Sequence, residues 1–464
     1  QHDSCFGCCF CCCFEVMRRL VLPLLLGGAV LLSPIASRSS APEPTLREGL
    51  VLPLPGQLNT ELMVNDNNPE VVSDSGILLS TFAGQGKAHP DAHLDVPLSG
   101  SFELFSHHVF AGKGQAPNST LWLAVVVGNR SNQPVTVSIP SAATHLSQPD
   151  APFLPLPPRM VHDGTSVYSG PGGRAAGDLL ARAPRSESLP ERIELSPGQI
   201  DVLTSLPIPV AGLDPLLNGR NLQARFNSTG PISLATLALI SDRRPSEKQW
   251  LDLLQNGKLS SKEHEPSPKG AAGPMIYSRV SGVQQGNRWR GVLTSPGRTN
   301  LEVTTQPISW PIASLQRGTL GTGQVQSAQL TDFYPGTAWE AHGNYGVAYD
   351  LSLPLRNPSS RPQTLDLRLE SPLKSNRRAA GLRFIEPAQG PIFWRGNVAV
   401  KGTDAGRGRR TVHLVLRKGD PGQSLGRVSL APGEQKTVQV QLIVPADITP
   451  VQVLTVAPVK QSDS

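Results

Sequence analysis

Cysteine, aromatic residues and long apolar runs are scarce in this chain. All six cysteines lie between Cys5 and Cys13. From Met17 onward there is none, which excludes disulfides, thiolate metal sites and a cysteine nucleophile from the rest of the sequence. Aromatic residues make up only 5%, and the apolar runs are short and separated by turn residues. Long helices are excluded by the same punctuation. Charge of one sign is not in excess either: 42 Lys and Arg against 36 Asp and Glu leave a net charge of +6. The basic clusters Arg243-Arg244, Arg377-Arg378 and Arg407-Gly-Arg409-Arg410 sit among Gly, Ser or Asp. No aromatic interleaving accompanies them, so they read as solvated loop charge and no nucleic-acid partner is expected.

What the chain has instead is glycine and proline, 44 of each. Proline presets φ and glycine accepts positive φ, so Pro-Gly pairs mark turns. Such pairs, from Pro55-Gly56 to Pro432-Gly433, are spread along the sequence. Many short strands between frequent turns predict an all-β fold, a sandwich or an elaborated barrel.

One apolar run stands apart. Met17 is followed by Arg18-Arg19, the apolar stretch 20–32 and small residues up to Ala41. A basic start, a short apolar centre and a small-residue exit read as a secretory signal peptide over 17–41. The stretch is shorter than the ~20 residues a spanning helix needs, so no transmembrane helix is expected after cleavage. The Cys-rich leader 1–16 is expected to be translated upstream sequence rather than a metal or lipid site, because a signal's charged region normally opens the chain. Export to the periplasm or cell surface follows, with the thylakoid lumen as a further possibility.

Residues 42–75 read as a Pro-rich lead-in. Strand signals then follow at 76–82, 121–127, 135–139, 192–195, 202–210 and 232–240. One short helix is expected next, with Ser246 as its cap, Trp250, Leu251 and Leu254 on its apolar face and Asn256-Gly257 at its end. The charged, unpatterned segment 257–274 is the expected linker between a first β domain over 76–256 and a second over 275–460. In the second, strand signals fall at 346–355, 363–369, 397–400, 411–416 and 437–444.

The halves echo each other. The segment 121–137 (LWLAVVVGNRSNQPVTV) aligns with 349–365 (YDLSLPLRNPSSRPQTL), matching Asn129, Ser131, Pro134 and Thr136 to Asn357, Ser359, Pro362 and Thr364. Farther on, 192–198 (RIELSPG) meets 427–433 (RVSLAPG). From Asn to Gly the spacing is 69 residues in the first half and 76 in the second. Two ordered matches at similar spacing predict a duplicated unit, and the strand–hairpin–strand pattern suits two related Ig-like β-sandwich domains.

Several stretches carry a wider resemblance: 54–58 (LPGQL), 146–153 (LSQPDAPF), 217–220 (LNGR), 320–327 (LGTGQVQS), 341–347 (AHGNYGV), 381–387 (GLRFIEP) and 412–416 (VHLVL). Through them the chain after residue 41 resembles a family of cyanobacterial exported proteins known as a domain of unknown function. The resemblance implies an envelope or lumenal setting and brings no activity or catalytic residues.

Candidate chemistry is sparse. His89, Asp91, His93 and Asp95 place two imidazoles and two carboxylates within seven residues, with His107-His108 close by. Pro90 breaks a helix there, and on a strand the two imidazoles lie ~13 Å apart. A polar loop is therefore favoured over a metal site. Ser424 sits in a Gly-x-Ser-x-Gly spelling, but a nucleophile elbow needs a strand before it and a helix after. Ser371-Pro-Leu-Lys374 matches Ser-x-x-Lys without the helix. The glycines of 318–323 lack the Lys-Ser/Thr end of a phosphate loop. His342, Asn344 and Tyr345 share one flexible segment suited to a polar ligand, with a turn leading into the next strand as the alternative. Asn118, Asn129 and Asn227 spell glycosylation sequons. Trp122, Trp289, Trp310, Trp339 and Trp394 are ligand or partner contacts if exposed and core if buried; Trp122 is expected to be buried.

No catalytic, cofactor-binding or metal residue and no cofactor is therefore assigned. The expected function is an exported, non-enzymatic envelope protein that binds or scaffolds, with an envelope polysaccharide or protein as partner. The alternative is a secreted hydrolase acting on an envelope or extracellular polymer.

Overall fold

The computed structural model describes residues 42–459 apart from 117, 163–167 and 407. The signal peptide and leader lie outside the described residues. Among the described residues strand accounts for 46% and helix for 6%, so the fold is all-β, built of several packed sheets.

The first large sheet is organised by one 25-residue strand, Leu217–Ser241. Its first part pairs with Leu98–Ala111 on one side and Val135–Leu146 on the other; its last part pairs with Thr120–Asn129 and Gly76–Ser80. The register shifts between Ser228 and Ile232, around Gly230-Pro231. A bulge at such a point bends a strand and lets it serve two layers. The side chains between the layers make one apolar core, with Phe102 stacked on Phe226 at 5.0 Å between ring centres. The strand Leu98–Ala111 escapes sequence reading because Ser, Glu and His interrupt its apolar pattern.

In the second half, two sheets enclose a second core. One contains Ala348–Arg356, Ile392–Lys401, Arg410–Arg417 and Gln435–Ile443; the other contains Ile308–Ile312, Gln363–Glu370, Ser424–Leu430 and Gln452–Pro458. Leu351, Leu367, Leu414, Val428 and Val440 meet between them, all at most 2% exposed.

Pairing crosses the 257–274 segment. Ser281–Gln285 adds to Leu62–Asp66 at the edge of the first sheet, and Arg159–Val161 pairs with Arg410–Arg417 of the second half. The Pro-rich lead-in is drawn in too: Thr45–Glu48 pairs with Gly381–Phe384, Leu50–Val51 with Ile308–Ile312, and Gln57–Leu58 with Arg288–Val292. Pro at edge positions costs no ladder bond.

Among the described residues two α-helices are present, where the sequence predicts one. The second of them, Glu247–Asn256, is the expected one: Ser246 Oγ accepts from the Gln249 amide and Gln249 returns the bond to the Ser246 amide. The other, α1, spans Pro171–Ala181 (PGGRAAGDLLA). Its glycines serve packing. A Cβ on Gly177 would lie 2.0 Å from Asn397 Nδ2, and one on Gly172 would lie 2.8 Å from Ala446. Only a helix with bare backbone on that face fits so close to the second half's sheet.

The first turn of α1 is held by Asp447, whose Oδ2 accepts from the Gly173 amide at 2.8 Å. Burial pushes the Asp447 carboxyl up to about 6, against the pull of that amide and Arg395. A carboxyl with a raised folded-state pKa stabilises the fold fully below its ordinary value of 3.8, and that contribution is lost as pH rises through about 6. Asp447→Asn keeps the acceptor and removes the buried charge. We expect it to raise stability by up to ~3 kcal/mol at pH 8 and by little at pH 4. Thermal melts at both values check this; an equal gain at both contradicts it.

The tryptophans are mostly core. Trp250, Trp310 and Trp394 are at most 1% exposed and Trp289 is 6% exposed. Trp339 is half-buried, and so is Trp122, for which the sequence predicts a buried position. Trp122 packs on the face covered by the helix Glu247–Asn256, at the margin of that small core.

Candidate functional site

A cavity of about 510 Å³ opens between the first sheet, the segment 263–280 and the loops 341–345 and 446–450. Two further spaces among the described residues, of about 10 Å³ each, hold no more than about one water.

Strand geometry sets one wall. Leu62–Asp66 runs parallel to Leu98–Ala111, with Asn65 opposite Phe105 and Asp66 opposite Ser106. Side chains alternate along a strand, so Asn65 and Asn67 line the cavity while Asp66 faces away. The same alternation separates the two neighbouring histidines. His108 meets Asp66 Oδ2 at 2.8 Å and the Pro69 carbonyl at 2.8 Å. Burial opposes ionisation of Asp66, yet His108 and Lys262 hold its carboxyl below the usual range. His107 turns into the cavity. Its Nδ1 meets Asn221 Oδ1 at 3.2 Å, and its Nε2 stands 3.7 Å from Glu70 Oε1 with no hydrogen bond. Burial, then His108 and Arg279, push the His107 imidazole down to about 3, so it is neutral at physiological pH.

The segment 263–280 makes the second wall, stitched to the first by the chain around Asn68. Asn68 Nδ2 donates to the Arg279 carbonyl at 3.0 Å, and the Glu263 amide donates to Asn68 Oδ1 at 2.9 Å. Arg279 pairs with Glu70 and, at 3.1 Å, with Glu263. Beneath, Lys262 Nζ donates to the carbonyls of Asn68 and Leu78 at 2.8 and 2.6 Å. Burial lowers this amine to about 8 even though Asp66 and Asp74 favour its charge.

The third wall comes from the loops of the second half. His342 lies edge-on between Tyr277 and Trp339, with ring centres at 4.6 and 6.0 Å. Its Nδ1 is 3.2 Å from Glu340 Oε1, misaligned for a hydrogen bond. Tyr345 OH donates to the Ile448 carbonyl at 3.0 Å. Of the segment singled out in sequence, His342 and Tyr345 thus reach the cavity. Asn344 does not: it is fully buried, donates to the Gln326 carbonyl at 2.7 Å and accepts from the Ala328 amide at 2.9 Å.

The other sequence candidates lie elsewhere. His93 is buried against Ser80 Oγ at 2.8 Å, pushed down to about 4 by burial first. Asp95 pairs with Arg130, and a 3-10 turn over Pro90–Ala92 separates His89 from His93. Among the described residues no group of three or more His, Cys, Asp or Glu is arranged to hold a metal. Ser424 opens a strand and donates to the Asp366 carboxylate. The Gly318 and Thr319 amides are both taken by Asn376 Oδ1, at 2.7 and 3.2 Å. Ser371 forms an isolated bridge with Asp420, whereas Lys374, three residues on, lines the cavity. The Asn129 amide of the sequon is buried and spent on backbone carbonyls.

Residues 50–458 match a family described only as a protein of unknown function, DUF3370. The chain belongs to the DUF3370 family. The match spans both cores and every wall of the cavity, so the cavity is a feature of the DUF3370 region itself. No curated protein matches the chain. Among the described residues of this DUF3370 protein, no helix is long and apolar enough to cross a membrane.

Sequence reasoning missed Asn65, Asn67, Glu70, Tyr277 and Arg279. They come from segments some 200 residues apart, and no local spelling ties them together. Segment 257–274, read as a linker, supplies Glu263 and His264 to the wall.

Proposed function

We propose that this DUF3370 protein is exported and acts in the cell envelope as a non-enzymatic binding protein whose ligand sits in the 510 Å³ cavity. The observation that carries this is the cavity's lining, where Asn65, His107, Tyr277, Arg279, His342 and Tyr345 converge from distant segments. The volume lies within the ~300–1,000 Å³ typical of small-molecule sites. Export rests on the signal-like segment 17–41, and the envelope as the source of the ligand rests on export.

The paired construction belongs to the same proposal: two related β units, with the cavity formed where they meet. Asn129 Nδ2 donates to the carbonyls of Gln133, Leu195 and Ser196; Asn357 Nδ2 donates to those of Arg361, Leu430 and Ala431. Ser131 and Ser359 repeat the same bonds inside each hairpin. The Asn129 amide meets the Gln199 carbonyl as the Asn357 amide meets that of Glu434. These are the residues that the sequence alignment pairs.

A secreted hydrolase is the second reading, favoured by a neutral imidazole 3.7 Å from a carboxylate in a cleft. Against it, Glu70 and Glu263 are both engaged by Arg279, which suits holding a shape better than moving a proton.

The test is a tagged chain started at Met17, recovered from the envelope fraction of its native host. The mature N-terminus is read by mass spectrometry and co-purifying material is identified. A cleaved chain carrying a defined small molecule or polymer fragment supports the proposal. An uncleaved cytoplasmic chain overturns export, and turnover of the captured polymer favours the hydrolase.

A further inference from the structure

Resting on the reading of the cavity as a binding site, we infer that its ligand is an uncharged lipid-like molecule, a hydrocarbon chain of the acyl or isoprenoid type, held by apolar contact. The polar side chains that line the space have spent or hidden their polar atoms. Arg279 is clamped between Glu70 and Glu263, and Glu263 Oε1 accepts from the Glu70 amide at 2.7 Å. His264 Nε2 donates to the Tyr277 carbonyl at 2.8 Å, and Tyr277 OH accepts from the Arg317 amide at 3.1 Å. Tyr345 OH is taken by the Ile448 carbonyl at 3.0 Å. Asn65 Nδ2 donates to Gln284 Oε1 at 2.7 Å, and the side-chain oxygens of Asn65 and Asn67 are buried away from the space. His107 Nδ1 is held by Asn221 and its Nε2 is buried, as are both ring nitrogens of His342. These residues turn mostly carbon toward the cavity.

Carbon also makes the rest of the wall: Val71, Val280, Leu315, Ala341, Ala446 and Pro450, beside the edge-on rings of Tyr277 and His342. Charge does not select the ligand, since Glu70 and Glu263 are matched by Arg279 and Lys374 among the lining residues. Lys374 Nζ lies over the Phe393 ring, 5.6 Å from its centre. A polar solute entering this space would exchange water for partners already engaged, a net loss. A hydrocarbon forfeits no hydrogen bond on entering and gains the burial of its own surface and of the wall. In the envelope such hydrocarbon is the substance of the membrane, as acyl and isoprenoid chains. Val71, a lining residue that is 47% exposed, marks where the space meets solvent.

The experiment is displacement of the uncharged dye N-phenyl-1-naphthylamine from the full chain at pH 7, read by fluorescence. The competitors are 1-octanol, 1-decanol, 1-dodecanol and farnesol, with dodecanoate, dodecyltrimethylammonium and maltose alongside. Each added methylene should tighten binding about three- to fourfold along the alcohol series. Two variants narrow the space from different walls: Val71→Trp at the solvent edge, and Thr449→Phe at a half-buried position in the third wall. Each should weaken 1-dodecanol binding about tenfold or more with the circular dichroism spectrum unchanged. Length-dependent binding that either variant weakens supports the inference, and the comparison of farnesol with 1-dodecanol tells an isoprenoid from an acyl chain. If maltose binds, if a charged dodecyl compound binds about tenfold tighter than the alcohol, or if affinity is flat along the series, and the variants weaken that binding, the hydrocarbon assignment is overturned and the cavity remains a binding site. If nothing binds in a way that the variants alter, both fall.

Discussion

Arg47→Ala is expected to destabilise the fold by ~3 kcal/mol or more in urea titration, although Arg47 lies in the lead-in ahead of both cores. Its guanidinium forks onto Glu370, with Nη1 and Nη2 at 2.5 and 2.6 Å from the two carboxylate oxygens. Glu370 is fully buried, and Thr455 Oγ1 donates to it at 2.6 Å. The strand Thr45–Glu48 carries Arg47 to this position by pairing with Gly381–Phe384, and the guanidinium also covers the Phe384 ring at 4.6 Å. Removing the arginine leaves a carboxylate in apolar surroundings with one hydroxyl donor. Losing a partner costs more than never having had the pair. The double variant Arg47→Ala, Glu370→Leu should therefore recover much of the loss. A loss below ~1 kcal/mol for the single variant would show that the lead-in is not integral to the fold.

The second large effect is expected at the paired hairpins. Asn357→Ala removes the amide that donates to Arg361, Leu430 and Ala431 carbonyls at 2.7, 3.1 and 3.2 Å. It also removes the oxygen that accepts from the Ser359 amide and hydroxyl at 3.0 and 2.7 Å. Asn357 is fully buried, so water cannot replace these partners. The expected loss is ~2–3 kcal/mol, and Asn129→Ala should lose a similar amount because its bonds are the same. Chemical denaturation of the two variants and their combination measures this. The sites share no partner, so the losses should add within ~0.5 kcal/mol. Twin losses that differ by more than about twofold would count against a common origin for the two hairpins.

These two predictions divide between what is local in the chain and what is not. The hairpins were visible in sequence because each is a short run of turn chemistry joined to one later landmark. Turn residues act through their own backbone, so Asn, Ser and Pro at fixed spacing carry their structure with them. The strands at 121–127, 363–369 and 437–444 and the helix capped by Ser246 were legible for the same reason. Glycine in α1 was not, because its role is to let a helix approach Asn397 and Ala446 on segments more than 200 residues away. The strand Leu98–Ala111 was hidden by the polar residues that bind Asp66, Asn221 and Arg225 across the sheet.

The cavity follows the same division. His342 and Tyr345 could be singled out because they lie in one polar segment. Asn65, Asn67 and Glu70 could not, since an asparagine beside a strand is unremarkable until its neighbours are placed. The sequence by itself determined the all-β class, the frequent turns, the repeated hairpin and the lack of cysteine chemistry after Met17. All of these depend on composition or on residues close in the chain. Only the tertiary structure decided that the lead-in buries Glu370, that segment 263–280 forms a wall, and that Asn65, His107, Tyr277 and His342 line a common space. Those outcomes depend on which distant segments exclude water from one another, and pairing across 200 residues leaves no mark in local spacing.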